Sequence, residues 1–105
     1  MADIGSKSIG TLNVHKVFRG YQKTFRTIHP GDLTAATITA TVDALPLTVV
    51  KDTYDSVANT TTIRYTLSAT QSAQLAVGKH GWSMILTENA IPAPYLEGFF
   101  EVEDL

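Results

Sequence analysis

The stretch Thr37-Ile38-Thr39-Ala40-Thr41-Val42 alternates without a fault between threonine and an apolar residue. In an extended chain, side chains two apart share a face. The stretch therefore reads as a half-buried strand, with Ile38, Ala40 and Val42 turned to a core and Thr37, Thr39 and Thr41 turned outward. Thr60 to Leu67 repeats the pattern, Ile63, Tyr65 and Leu67 opposing Thr62, Arg64 and Thr66. A period of two does not make an amphipathic helix, so these segments predict a sheet with one buried face.

Working outward from them, Tyr21 to Ile28 reads as a strand with Tyr21, Lys23, Phe25 and Thr27 on one face, ended by His29-Pro30-Gly31-Asp32. Another strand is expected through Leu12 to Phe18, with Gly20 as the break after it. Met1 to Ser8 carries small and polar residues and is expected to form a flexible arm, leaving residues 9–105 as a single domain. On the C-terminal side, Leu47 to Lys51 is a short strand. Ser68 to Val77 departs from period two and predicts the one helix. Ser68 and Gln71 have the spacing of a capping box, and Gly78 stands where a left-handed C-terminal residue is wanted. Trp82 to Thr87 and Leu96 to Val102 are read as a closing hairpin joined by a longer loop over Asn89 to Pro94. Phe25, Ile38, Val42, Ile63, Tyr65, Trp82 and Phe100 are the expected core. Short strands separated by turns, with one short helix between strands, predict an all-β fold, an antiparallel Ig-like β-sandwich.

The composition agrees. Of 105 residues, 15 are threonine and only 17% are charged, against roughly 25% in an ordinary soluble domain. No run approaches the roughly 18 to 20 apolar residues of a spanning helix, so no membrane partner is expected. The net charge is -2 and the eight basic residues are scattered, which argues against nucleic acid as a ligand. Cysteine is absent, so neither a disulfide nor a thiolate metal site can form. Met1-Ala2-Asp3-Ile4-Gly5 does not read as a secretory signal, and assembly in a cytoplasm is expected.

Residues that could carry chemistry are few. His15, His29 and His80 lack the paired spacing that puts two imidazoles on one face, and no metal or cofactor is expected. Glu97, Glu101 and Glu103 share a face of the last strand with Phe99. Two carboxylates could flank a sugar, but such alternation more often marks a solvated or edge face. Gly5-Ser6-Lys7-Ser8 lacks the rest of a phosphate-binding loop, and neither Ser72 nor Ser83 has a base at an interpretable spacing. No catalytic residues emerge, and the protein is not expected to be an enzyme. The threonine faces are more informative. They are polar without being charged, so covering them costs less than covering lysine or glutamate; on composition alone, threonine's preference for exposed strands is the better explanation.

Three segments resemble a known pattern. Arg19-Gly20-Tyr21-Gln22-Lys23-Thr24-Phe25 resembles the Arg-Gly-Asp-Thr-x-x-Phe opening of small β-sandwich domains in tailed-bacteriophage baseplate and tail-fibre proteins, of the kind found at the N-terminus of upper baseplate proteins. Asp32-Leu33-Thr34-Ala35-Ala36-Thr37 is similar to their Asp-Leu-Thr-Gly-Ala-Thr segment. The run from Leu67 through Gln71 and Leu75 to Gly78 resembles their Leu-Thr-x-x-Gln-Thr-x-x-Leu-x-x-Gly helix. Tyr21 replaces the acidic residue, Ala35 the glycine, and Trp82 stands where tyrosine is more common. Residues 1–18 have no counterpart.

The resemblance implies a structural protein of a tailed-phage virion, an adaptor or anchoring component of baseplate or tail fibre, or a capsid or collar accessory. Its expected partners are other virion structural proteins and further copies of itself, as a trimer or hexamer by analogy. Candidate contact residues are Ile4, Ile9 and Leu12 of the N-terminal segment, which could reach a neighbour by strand addition, and Thr37, Thr39, Thr41, Thr62 and Thr66 on the outer faces. The alternative is a carbohydrate-binding module that recognises a host surface, with Trp82, Tyr54 or Tyr95 as its stacking platform.

Overall fold

The structure is a computed structural model and describes residues 10–105. Its strands are β1 (Gly10–Thr11), β2 (Val14–Phe18), β3 (Lys23–Pro30), β4 (Thr37–Val42), β5 (Leu45–Pro46), β6 (Thr48–Lys51), β7 (Thr60–Leu67), β8 (Gly78–Glu88) and β9 (Ile91–Glu103), with one helical turn, α1 (Ala69–Ser72), between β7 and β8. They form two sheets. The larger runs β1-β9-β8-β4-β5 with β2 also on β9, and the smaller runs β3-β7-β6. The result is the expected all-β sandwich with a short helix. Its pairings are antiparallel except at the start, where β1 and β2 run parallel to β9.

Alternation decides which side chains are buried. Along β7, Thr61, Ile63, Tyr65 and Leu67 are buried while Thr62, Arg64 and Thr66 are half-exposed. On β4, Ala40 and Val42 face inward, opposite Met84 and Trp82 of β8. Between the sheets lies an aromatic cluster. Phe25 stacks on Tyr65 at 4.8 Å between ring centroids and meets Trp82 and Phe100 edge-on at 5.4 and 5.5 Å. Such offset and edge-on pairs add to what burial alone contributes. Five of the seven expected core residues are buried, and Phe25 and Ile38 pack partly buried against them.

Four local expectations change. The helix is a single turn. Its capping box forms, with Ser68 Oγ accepting from Gln71 N and Gln71 Oε1 accepting from Ser68 N. Beyond Ser72 only Leu75 is buried before β8 begins, so no apolar stripe sustains further turns. Gly78 does have a left-handed φ of +131°, but as the first residue of β8. β3 starts at Lys23 and runs through His29 and Pro30, turning only at Gly31. The closing hairpin has a two-residue turn: Glu88 pairs with Ile91, and Asn89 and Ala90 both take positive φ, 53° and 63°. Two left-handed residues match the twist of the flanking strands. Pro92 and Pro94 therefore lie inside β9, paired with Thr87 and Ile85.

The parallel start is anchored at one point. The Leu12 carbonyl accepts a 2.7 Å hydrogen bond from Trp82 Nε1, and Asn13 Oδ1 accepts from Phe99 N. Both lie over Gly98 of β9. A Cβ at that position would collide with the Leu12 carbonyl oxygen and stand 2.7 Å from its carbon, so glycine is what lets the N-terminal segment cross there.

Candidate interaction surfaces

The outer face of the larger sheet is built by register. Thr37, Thr39 and Thr41 of β4 stand beside Thr87, Ile85 and Ser83 of β8, and these beside Pro92, Pro94 and Glu97 of β9. The rows Thr37–Thr87–Pro92 and Thr39–Ile85–Pro94 carry no charge. All three β4 threonines are exposed, and Ile85 is 36% exposed. Charge collects at the other end of the sheet. There Glu101 Oε1 lies 3.1 Å from His15 Nδ1, and Lys79 sits over the Phe99 ring at 4.5 Å. The face with Glu97, Glu101 and Glu103 is the solvated side of β9, but this part of β9 is no edge, because β1 and β2 pair along it.

The smaller sheet presents a second outer face. Thr24, Thr66 and Thr48 form one row, Arg26, Arg64 and Val50 the next. Asp52 lies between the two guanidinium groups, 4.0 Å from Arg26 and 3.5 Å from Arg64. Ile28 is 69% exposed beside Thr62. Thr62 and Thr66 are thus half-exposed members of a polar and apolar surface on which two arginines share one carboxylate.

The remaining candidates fall elsewhere. Ile4 and Ile9, with the whole arm at residues 1–8, lie outside the described residues. Leu12 is partly buried against the core, and its amide bonds the Glu97 carbonyl. The segment at 10–18, expected to be able to add as a strand to a neighbour, instead pairs with β9 of its own chain. Trp82 is 3% exposed and faces the core, so its ring offers no platform to a sugar. Tyr54 bonds Asn59 Oδ1, and Tyr95 packs on His29 at 5.2 Å between ring centroids.

A partly buried polar chain joins residues that the sequence does not mark as a group. Thr27 Oγ1 lies 2.6 Å from His29 Nε2 and 2.8 Å from the Tyr65 hydroxyl. Burial lowers the His29 pKa from its ordinary value. Burial also pushes the Tyr65 phenol up to about 12, against the opposing hydrogen bond from Thr27. Both groups are thereby held neutral near pH 7 and bond through one hydroxyl, which suits a structural role between the sheets. The parity of residues 27 and 29 with Phe25 is the one sign of it in the sequence. Among the described residues no three His, Asp or Glu side chains are grouped to hold a metal ion, and no helix is long and apolar enough to cross a membrane.

What fold and surface define together is an all-β sandwich domain with two solvent-facing sheets rich in threonine. Comparison with protein-family models, curated proteins and solved structures gives no match to this chain.

Proposed function

We propose that the protein is a structural component of a tailed-phage particle, an adaptor or anchoring part of baseplate, tail fibre, collar or capsid that works through contacts with other virion proteins. The observation that carries this reading is the pair of uncharged rows Thr37–Thr87–Pro92 and Thr39–Ile85–Pro94 across three adjacent strands. An uncharged face of threonine, proline and isoleucine can be covered by another subunit without stripping water from an ion. The segments from Arg19 to Gly78 that resemble baseplate sandwich domains supply the setting.

The test is mass spectrometry of purified particles combined with substitution on this face. The chain should be present at a fixed copy number. Thr39→Asp with Ile85→Asp should lose incorporation while the far-ultraviolet circular dichroism of the isolated protein is unchanged. Particles that lack the chain, or that take up the variant normally, would refute the proposal.

A further inference from the structure

The edges of the two sheets are not alike. A sheet edge offers unpaired backbone donors and acceptors, and folded proteins commonly blunt it. Most edges here are blunted. β5 is two residues long and ends in Pro46. β2 is interrupted by an irregularity between Val14 and Val17, with Lys16 at φ 59°. The stretch of β9 before Leu96, where β1 begins to pair, carries Pro92 and Pro94. β6 is four residues long, and its Lys51 ammonium reaches the carbonyls of Thr34 and Ala36.

Among the described residues β3 is the longest edge paired without interruption along its whole length. It is eight residues long and pairs with β7 without a register break from Lys23 to Pro30. Which of its backbone groups face outward follows from its neighbour. Thr60 and Thr62 bond Asp55 and Asp52 on the β6 side, so Thr61, Ile63, Tyr65 and Leu67 turn their amides and carbonyls to β3. Their partners His29, Thr27, Phe25 and Lys23 answer them. Thr24, Arg26 and Ile28 therefore aim their amides and carbonyls away from the sheet, and no backbone partner meets them among the described residues. Pro30 falls in the same set, so its missing N–H costs β7 nothing.

We propose that this edge pairs with β3 of a second copy, antiparallel about a twofold axis through Thr27, joining two three-stranded sheets into one. The register follows from charge and bond count. Centring on Arg26 would set Arg26 against its own copy, and like charges directly opposite destabilise a strand pair. Centring on Ile28 would leave about four intermolecular backbone bonds, because Pro30 then opposes Arg26 and cannot donate. Centring on Thr27 places Arg26 opposite Ile28 and Thr24 opposite Pro30, with about six bonds. The Arg26 stem then covers Ile28, which is 69% exposed in the single chain. Lys23, the other cation of the strand, lies beyond the paired span. The pairing is independent of the phage-particle reading and leaves the outer faces open.

The test is sedimentation of the full chain from low micromolar to near-millimolar concentration, with amide hydrogen exchange at both ends of that range. A dimer should form, and the amides of Thr24, Arg26 and Ile28 should become protected only as it does. Arg26→Pro removes one outward N–H without breaking a bond to β7. It should stay monomeric where the unaltered chain is dimeric, with unchanged Trp82 emission. Ile28→Lys sets lysine against Arg26 and should weaken the dimer at least about tenfold; it keeps the test open if Arg26→Pro does not fold. Four results would overturn the proposal: a monomer throughout, a dimer whose edge amides stay unprotected, a dimer that survives Arg26→Pro and Ile28→Lys, or edge amides equally protected in the dilute monomer. The last would mean that residues of the same chain cover the edge. Incorporation into particles is read separately, so either reading can fail alone.

Discussion

Gly98→Ala should be among the most damaging small substitutions in this protein. The added methyl would occupy the place of the Leu12 carbonyl and stand 2.9 Å from Asn13 Oδ1, so the chain at residues 12–13 must lift off β9. Lifting it breaks the 2.7 Å bond from Trp82 Nε1 and the bond from Phe99 N to Asn13. A buried donor left unpaired costs about 1–3 kcal/mol, and overpacking of a close contact costs about 1–3 kcal/mol more. The sum is about 2–6 kcal/mol, a large part of the stability of a domain this size. The midpoint of thermal unfolding should fall by roughly 10–30 °C. Gly81 is the internal control. It lies in β8 without a positive φ, and a methyl added there would meet nothing within 4 Å, so Gly81→Ala should change stability by less than about 1 kcal/mol. Urea denaturation followed by the emission of Trp82, the sole tryptophan, reads both variants and reports whether the indole has lost its partner. A Gly98→Ala protein as stable as Gly81→Ala would refute the crossing as described.

Other consequences are smaller. Ala90 holds φ 63° in the closing turn, so Ala90→Gly should stabilise the protein by about 0.5–1 kcal/mol in the same urea assay. Ser72 is fully buried, and its hydroxyl accepts from Gly20 N and donates to the Tyr21 carbonyl; Ser72→Ala should cost about 1–3 kcal/mol by loosening the link between the helix and the β2–β3 connection. His29 has a depressed folded pKa, so the unfolded chain takes up a proton first on acidification. Its contribution is present above pH 6.5 and is lost as pH falls from there through the folded value. Urea midpoints should decline over that window, and His29→Gln should flatten the slope.

Where alternation is strict, strand and face can both be read from the sequence. Thr37–Val42 and Thr60–Leu67 begin and end where the threonine pattern does. The reading fails where a local signal competes with tertiary packing. Ser68 and Gln71 do form their capping box, yet Ala73 and Ala76 are exposed and give the helix no surface to extend along. Two prolines suggest a loop from Asn89 to Pro94, whereas the structure sets them in β9 where, among the described residues, that strand has no neighbour besides β8. The parallel pairing of β1 and β2 with β9 joins residues far apart in sequence, and no local pattern encodes such a contact. Gly98 is its trace, a glycine interrupting an alternating strand, which marks close approach of another backbone. The candidate surface is partly legible: the threonines of β4 are identifiable by parity, but Ile85, Pro92 and Pro94 join them only through the register of three strands.

The proposed virion role requires the uncharged face of the larger sheet to be covered by another protein in the particle. Hydroxyl-radical footprinting of the chain, isolated and within purified particles, tests it most directly. Labelling of Ile85 and Pro94 should fall sharply in the particle, while that of exposed Val57, in the loop between β6 and β7, serves as the reference. Equal labelling of Ile85 and Pro94 in both states would contradict the claim.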